Sequence, residues 1–165
     1  MKRIALIIVM MFFGTHLFAQ TSAISKDEII GVWQINSPRV GNGYAESFSF
    51  FKGGTFIYQY DPSDDTRNIT QLQGKYQLDG ERLILTVTRR KERIGGKIMA
   101  GAVGTDEYLF VFDNDKTKDV TEVSPKPLDP FFISKVHKLS GKIDCLINNR
   151  HYYKVSSDPD AINHQ

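Results

Sequence analysis

Apolar and polar residues alternate along most of the chain with a period of two, the spacing of a strand that buries one face and wets the other. Phe56, Tyr58 and Tyr60 fall on one side of such a run, and Thr55, Ile57 and Gln59 on the other. The run Glu46–Phe51 reaches it through Lys52-Gly53-Gly54, where glycine allows a tight hairpin turn. The same arrangement returns in Thr70–Leu78, with Leu72, Tyr76 and Leu78 aligned, then Asp79-Gly80, then Leu83, Leu85 and Val87. Asp-Gly between alternating runs is a strong hairpin signal. Further on, Tyr108, Phe110 and Phe112 alternate until Asp113-Asn114-Asp115 stops them, and Ile143, Cys145 and Ile147 lead through Asn148-Asn149 to Tyr153 and Val155.

With Val32–Ser37 and Phe131–Leu139 added, about eight or nine strands are expected, the range of an up-and-down barrel. The expected fold is therefore all-β and antiparallel, with an open β-sandwich as competitor. Phe56, Tyr58, Tyr76, Leu78, Leu83, Leu85, Phe110 and Phe112 are the candidates for its inward face. Helix is confined to a short N-terminal turn over Ser25–Ile30, where Ser25 and Glu28 have the spacing of a capping box. Arg93–Thr105, rich in glycine, and Lys116–Pro130, with three prolines, are expected to be long loops.

The first twenty residues carry a different pattern. Lys2 and Arg3 precede an apolar run from Ile4 to Phe13, and Ala19 supplies a small residue before Gln20. That is the layout of a secretory signal peptide, and the run is shorter than the roughly 18 to 20 apolar residues of a membrane span. Residues 1–19 are expected to be removed, leaving one domain over 24–156 and a C-terminal tail over 157–165. No cysteine stands near the junction to accept a lipid, so the expectation is an exported periplasmic or extracellular protein that is not lipid-anchored. No transmembrane segment is expected after removal of the signal.

Lys and Arg number 21 against 19 Asp and Glu, a net charge of +2, which gives no reason to expect a nucleic-acid partner. Cys145 is the only cysteine, so no internal disulfide forms, and its register with Ile143 and Ile147 makes it a small buried apolar residue.

Just after the N-terminal turn stands Gly31-Val32-Trp33 at the start of the first strand. This resembles the N-terminal signature of the lipocalin and fatty-acid-binding (calycin) superfamily. The phrases Gly53-Gly54-Thr55-Phe56, Gly74-Lys75-Tyr76-Gln77-Leu78-Asp79-Gly80 and Leu83-Ile84-Leu85-Thr86 are similar to those of small lipocalin-like domains of exported bacterial proteins. The resemblance implies that Gly31 and Trp33 close one end of the barrel. It implies a small, partly apolar or amphipathic ligand inside, with Tyr58, Tyr60, Tyr76, Phe110, Arg150 and Tyr152 as candidate contacts. Arg150-His151-Tyr152 is similar to the Arg-x-Tyr that grips a ligand carboxylate on the last strand of fatty-acid-binding proteins. Two other places for Arg150 stay open: across Trp33, as lipocalins use a last-strand arginine, or exposed in the turn after Asn149.

No catalytic, metal or cofactor constellation is expected. His137, His151 and His164 are far apart from one another and from Cys145, and neither a nucleophile elbow nor a phosphate loop occurs. Asp113, Asp115 and Asp119 lack the glycine and glutamate of a calcium loop. The basic run Arg89–Arg93 is expected to be a solvated strand end, and Asp61, Asp64 and Asp65 a solvated turn. The alternative to ligand binding is a protein-interaction or envelope-structural module, with the barrel as rigid scaffold and the two long loops as its contact surface.

Overall fold

The computed structural model describes residues 23–38, 45–100, 108–112 and 116–161, and these contain strands and turns but no helix. The signal segment over 1–19, the stop at Asp113–Asp115 and the last four residues of the tail lie outside them. Eleven strands are present in the described residues: β1 Gly31–Ile35, β2 Ser47–Phe50, β3 Thr55–Gln59, β4 Ile69–Asp79, β5 Arg82–Arg93, β6 Lys97–Ala100, β7 Tyr108–Val111, β8 Thr117–Thr121, β9 Phe131–Leu139, β10 Lys142–Ile147 and β11 Arg150–Ser156.

Eight of them close into an antiparallel barrel in the order β1-β2-β3-β4-β5-β9-β10-β11, with β11 returning to β1. A single sheet with one apolar face buries that face and loses its edges by closing on itself. Opposite residues of an antiparallel pair share a face, and the registers Trp33↔Phe48, Phe48↔Tyr58 and Tyr58↔Leu72 carry one inward row around four strands. The core joins Trp33, Phe48, Phe50, Phe56, Leu83, Leu85, Ile133, Cys145, Ile147 and Tyr152, with Tyr58, Tyr76 and Leu78 packed against it. Each fully buried ring or branched chain contributes about 1.5 to 3 kcal/mol.

Two glycines mark where neighbouring backbones come closest. A Cβ at Gly74 would lie 2.0 Å from the Thr86 carbonyl oxygen, at a bulge between Gln73 and Gly74. At Gly31, with φ +124°, it would lie 2.2 Å from the Ser156 carbonyl oxygen, where the first strand crosses the last. The Asn148-Asn149 turn has both residues at positive φ, 48° and 63°, and Arg150 follows as the first residue of β11.

The N-terminal segment is a single hydrogen-bonded turn and not a helix, closed by one backbone bond from Ile29 N–H to Ser25 O. The capping-box exchange is nevertheless made: Ser25 N–H donates to Glu28 Oε2 at 2.9 Å and Glu28 N–H to Ser25 Oγ at 3.2 Å. Ile24 and Ile29 bury themselves in the barrel end beside Trp33.

The two expected loops are corrected in part. Within Arg93–Thr105 lies β6, which pairs with β7 as a separate two-stranded ribbon. Within Lys116–Pro130 lies β8, which pairs with the far half of β5, and a bridge from Thr86 to Pro127 continues that line down to β9. Thr117–Thr121 thus extends the sheet beside β5, while residues 122–130 carry no strand and are the loop expected, touched by that one bridge. Phe110 is likewise corrected: it belongs to the ribbon, half exposed, and takes no part in the core.

Candidate functional site

At the end of the barrel where β1 finishes and β11 begins, Glu46 enters just ahead of β2 on the same side as Phe48 and Phe50. Its carboxylate is nearly buried, and an ion in that position needs partners. Arg150 supplies two parallel bonds, Nη1 to Oε1 at 2.7 Å and Nη2 to Oε2 at 2.9 Å. The Tyr152 hydroxyl donates to Oε1 at 2.6 Å, and the Tyr58 phenol lies close enough to feel the same carboxylate. Arg150 and Tyr152 are two apart on β11 and so project to one side. Between β2 and β11 runs β1, so the cluster clasps three strands together.

The electrostatics follow from this geometry. Burial first, then the Glu46 carboxylate, pushes the Tyr58 and Tyr152 phenols well above the ordinary tyrosine value. For Arg150 burial works against the charge, but the bonds to Glu46 outweigh it and raise the guanidinium. Both tyrosines stay neutral and Arg150 stays a cation. The pair that could hold a ligand carboxylate is engaged by the protein's own.

Tyr60 extends the cluster outward, its ring 4.7 Å from that of Tyr58 and covered by the Arg67 guanidinium at 4.4 Å. On the opposite wall Arg90 is the cross-strand partner of inward-facing Leu72, so it also faces the barrel. It pairs with Glu92 and with Glu122, and Lys118 Nζ reaches Glu92 at 3.2 Å. The mouth thus carries aromatic rings between two ionic clusters, above a floor of Phe48 and Phe131.

Of the residues expected from sequence, Tyr58, Tyr60, Arg150 and Tyr152 come together here. Tyr76 does not. Its ring meets Phe50 edge-on at 5.0 Å, its hydroxyl donates to Phe51 O, and it lines an open groove of about 700 Å³ at the other end with Lys26, Ile30, Lys52, Leu78 and Ile84. Phe110, on the ribbon, stacks edge-on with Phe112 at 5.0 Å.

Trp33 and Gly31 stand at that other end. Trp33 is buried and its Nε1–H donates to Ile29 O at 2.7 Å. The last-strand cation beside it is Lys154, opposite Trp33 in register, with Nζ donating to Glu28 O at 2.7 Å. Arg150 lies at the Glu46 end, away from Trp33; it follows the Asn148-Asn149 turn as the first residue of β11 and is half exposed (52%), with its guanidinium on Glu46.

Sequence reasoning missed Glu46 and Arg93. The parity of Glu46, Phe48 and Phe50 already puts a carboxylate on the core face, which calls for a cation. Arg93, expected to be solvated, is buried and binds the β3–β4 loop through Asp64 O at 2.6 Å and Pro62 O at 3.1 Å. The pattern of that loop was legible: Asp61 and Asp64 each accept from the backbone N–H and hydroxyl two residues on. His137 and His151 are brought together on Asp144.

No helix of the described residues is long and apolar enough to cross a membrane. Compared with known proteins, the chain matches no family profile, no curated protein and no solved structure.

Proposed function

We propose that the chain is an exported, non-enzymatic binding module of lipocalin-like type that uses its barrel as a rigid scaffold and the β6–β7 ribbon as its contact surface. The observation that carries this reading is the ribbon's exposure. Ile98 faces Phe110 on one side and Met99 faces Leu109 on the other, and all four are exposed, as are Tyr108 and the adjoining Ile94. Two strands cannot bury apolar groups on both faces by themselves, and a contiguous apolar surface of this kind marks a contact site.

The test is to replace Ile98 and Phe110 together by glutamate and compare captured partners from envelope extracts. Because the ribbon lies outside the barrel, the variant is expected to melt like the parent while losing its partners. An unchanged set of partners overturns the reading.

A second reading is favoured by the mouth. Tyr58, Tyr60 and Leu72 between the Glu46–Arg150 and Arg90–Glu92–Glu122 clusters suit a small amphipathic molecule held shallowly, with Phe48 and Phe131 as floor. Native mass spectrometry of protein taken from its source tests this, and the absence of any co-purifying small molecule counts against it.

A further inference from the structure

The outer face of the wall made by β9, β10 and β11 carries an open groove of about 520 Å³, inside the range of about 300 to 1,000 Å³ of small-molecule sites. Cys145 and Tyr152 belong to the core, so their neighbours Asp144 and Tyr153, paired across β10 and β11, point outward and line the groove. Lys142 lies two residues before Asp144 and so on the same side, with Leu139 opposite it across β9. His137, opposite Asp144, and His151, two residues before Tyr153, stand beside the groove. Their Nδ1 and Nε2 both meet Asp144 Oδ2, at 3.0 and 2.6 Å. Oδ1 takes no hydrogen bond among the described residues. Burial works against the Asp144 charge, but the bonds from His151 and His137 outweigh it and hold the carboxyl below its ordinary value. The Tyr153 ring rests on that of His151, 4.4 Å away and 28° from parallel.

We infer that this groove binds a neutral saccharide, its ring laid against Tyr153 and its hydroxyls held by Asp144 and Lys142. A carboxylate only accepts hydrogen bonds and an ammonium only donates them. Adjacent hydroxyls on one sugar ring do both, the first giving its proton to Asp144 Oδ1 and the next receiving one from Lys142 Nζ. Lys142 is exposed and has no hydrogen bond or ion pair among the described residues, so its ammonium is available. Rings of the glucose type, with every hydroxyl near the ring plane, present a flat C–H face of the kind an aromatic ring packs against. Leu139 supplies an apolar edge beside it.

Charge decides the class of ligand. Asp144 and Lys142 offset one another, and Lys154, the other cation at the groove, turns its Nζ to Glu28 O at 2.7 Å. The groove therefore favours neither an anion nor a cation. Two imidazoles on one oxygen fix the Asp144 carboxylate, so little freedom is lost when a ligand arrives. The inference draws nothing from the ribbon or the mouth.

The experiment is an NMR titration of the isotope-labelled protein with cellotriose as the neutral probe and glucuronic acid as the charged one. Cellotriose at millimolar concentration is expected to shift the backbone signals around Lys142, Asp144 and Tyr153, and glucuronic acid to leave them in place. Tyr153→Ala should weaken binding at least about tenfold. Tyr153→Phe should leave it unchanged, because the ring remains and the lost hydroxyl faces His151 Nδ1 at 3.4 Å. Lys142 is exposed and unbonded, so Lys142→Ala folds as the parent does; it should weaken binding severalfold and decides the matter if Tyr153→Ala does not fold. No shift with cellotriose, shifts centred elsewhere, tighter binding of glucuronic acid, or binding indifferent to both Tyr153→Ala and Lys142→Ala overturns the site.

Discussion

The Glu46 carboxylate and the Arg150 guanidinium meet edge to edge at 2.7 and 2.9 Å although 104 residues separate them and a whole strand runs between their own. The contact explains how an acid tolerates the core face of β2. It also sets the first expected outcome. Arg150→Ala leaves Glu46 with a hydroxyl partner and no counter-charge, a loss of about 1.5 to 3 kcal/mol. The lower end is expected because half of the Arg150 side chain is in water (52%). Urea unfolding measures it, and adding Glu46→Gln to Arg150→Ala should restore part of the loss. A double variant less stable than the sum of the single changes contradicts the pairing.

Glu28 offers a test by pH. Its hydrogen bond from Lys138, then those from the Ser25 backbone and hydroxyl, lower its pKa from the ordinary 4.5 to about 2. A carboxyl held down in the folded state stabilises it fully above the ordinary value, and the contribution drains away as pH falls through the folded one. The stability difference between the parent and Glu28→Gln should therefore be constant above 4.5 and shrink toward pH 2. Urea melts across that window check it, and a difference that grows with acidity contradicts it.

Gly74 has no room for a methyl group. A Cβ there would overlap the Thr86 carbonyl, so Gly74→Ala must force β4 and β5 apart at their bulge. A loss of at least about 1 to 3 kcal/mol is expected. The same change at Gly53, whose Cβ would meet nothing within 4 Å, should cost far less, and thermal melts of the two variants compare them directly.

Cys145 should be silent toward thiol reagents. It is about 1% exposed, and burial, aided by the neighbouring Asp144 charge, pushes the thiol up to about 12. The thiolate is the reactive form. Labelling is expected to proceed only as fast as the barrel opens, with urea accelerating it in parallel with unfolding, as mass spectrometry over time would record.

Strands with one buried face were legible because that face imposes alternation: β3, β4, β5, β10 and β11 all have it, and the turns between them carry Gly or Asn where positive φ is needed. The ribbon and β8 were hidden for the converse reason. Ile98, Met99, Leu109 and Phe110 are apolar on both sides and mostly in solvent, while Lys118 and Asp119 join the wall through backbone pairing with Glu92 and Lys91. No side-chain rhythm is required for that. At the mouth, parity placed Arg150 with Tyr152, but their partner Glu46 is distant along the chain, and only the closed sheet brings it near. His137 and His151 each stand seven residues from Asp144, and the two neighbouring hairpins β9–β10 and β10–β11 bring them to it.

The hydrogen bonding of β1 to β11 has a consequence for how the molecule comes into being. The first strand lacks one neighbour until the last has been made, so the ring cannot shut during synthesis and must be completed by a long-range docking event. Pairings this distant in sequence make for slow folding. Until they form, β1 and β11 present open edges in need of shielding from aggregation. A chain cut short before Arg150 would keep the hairpins up to β9–β10 and still have no barrel.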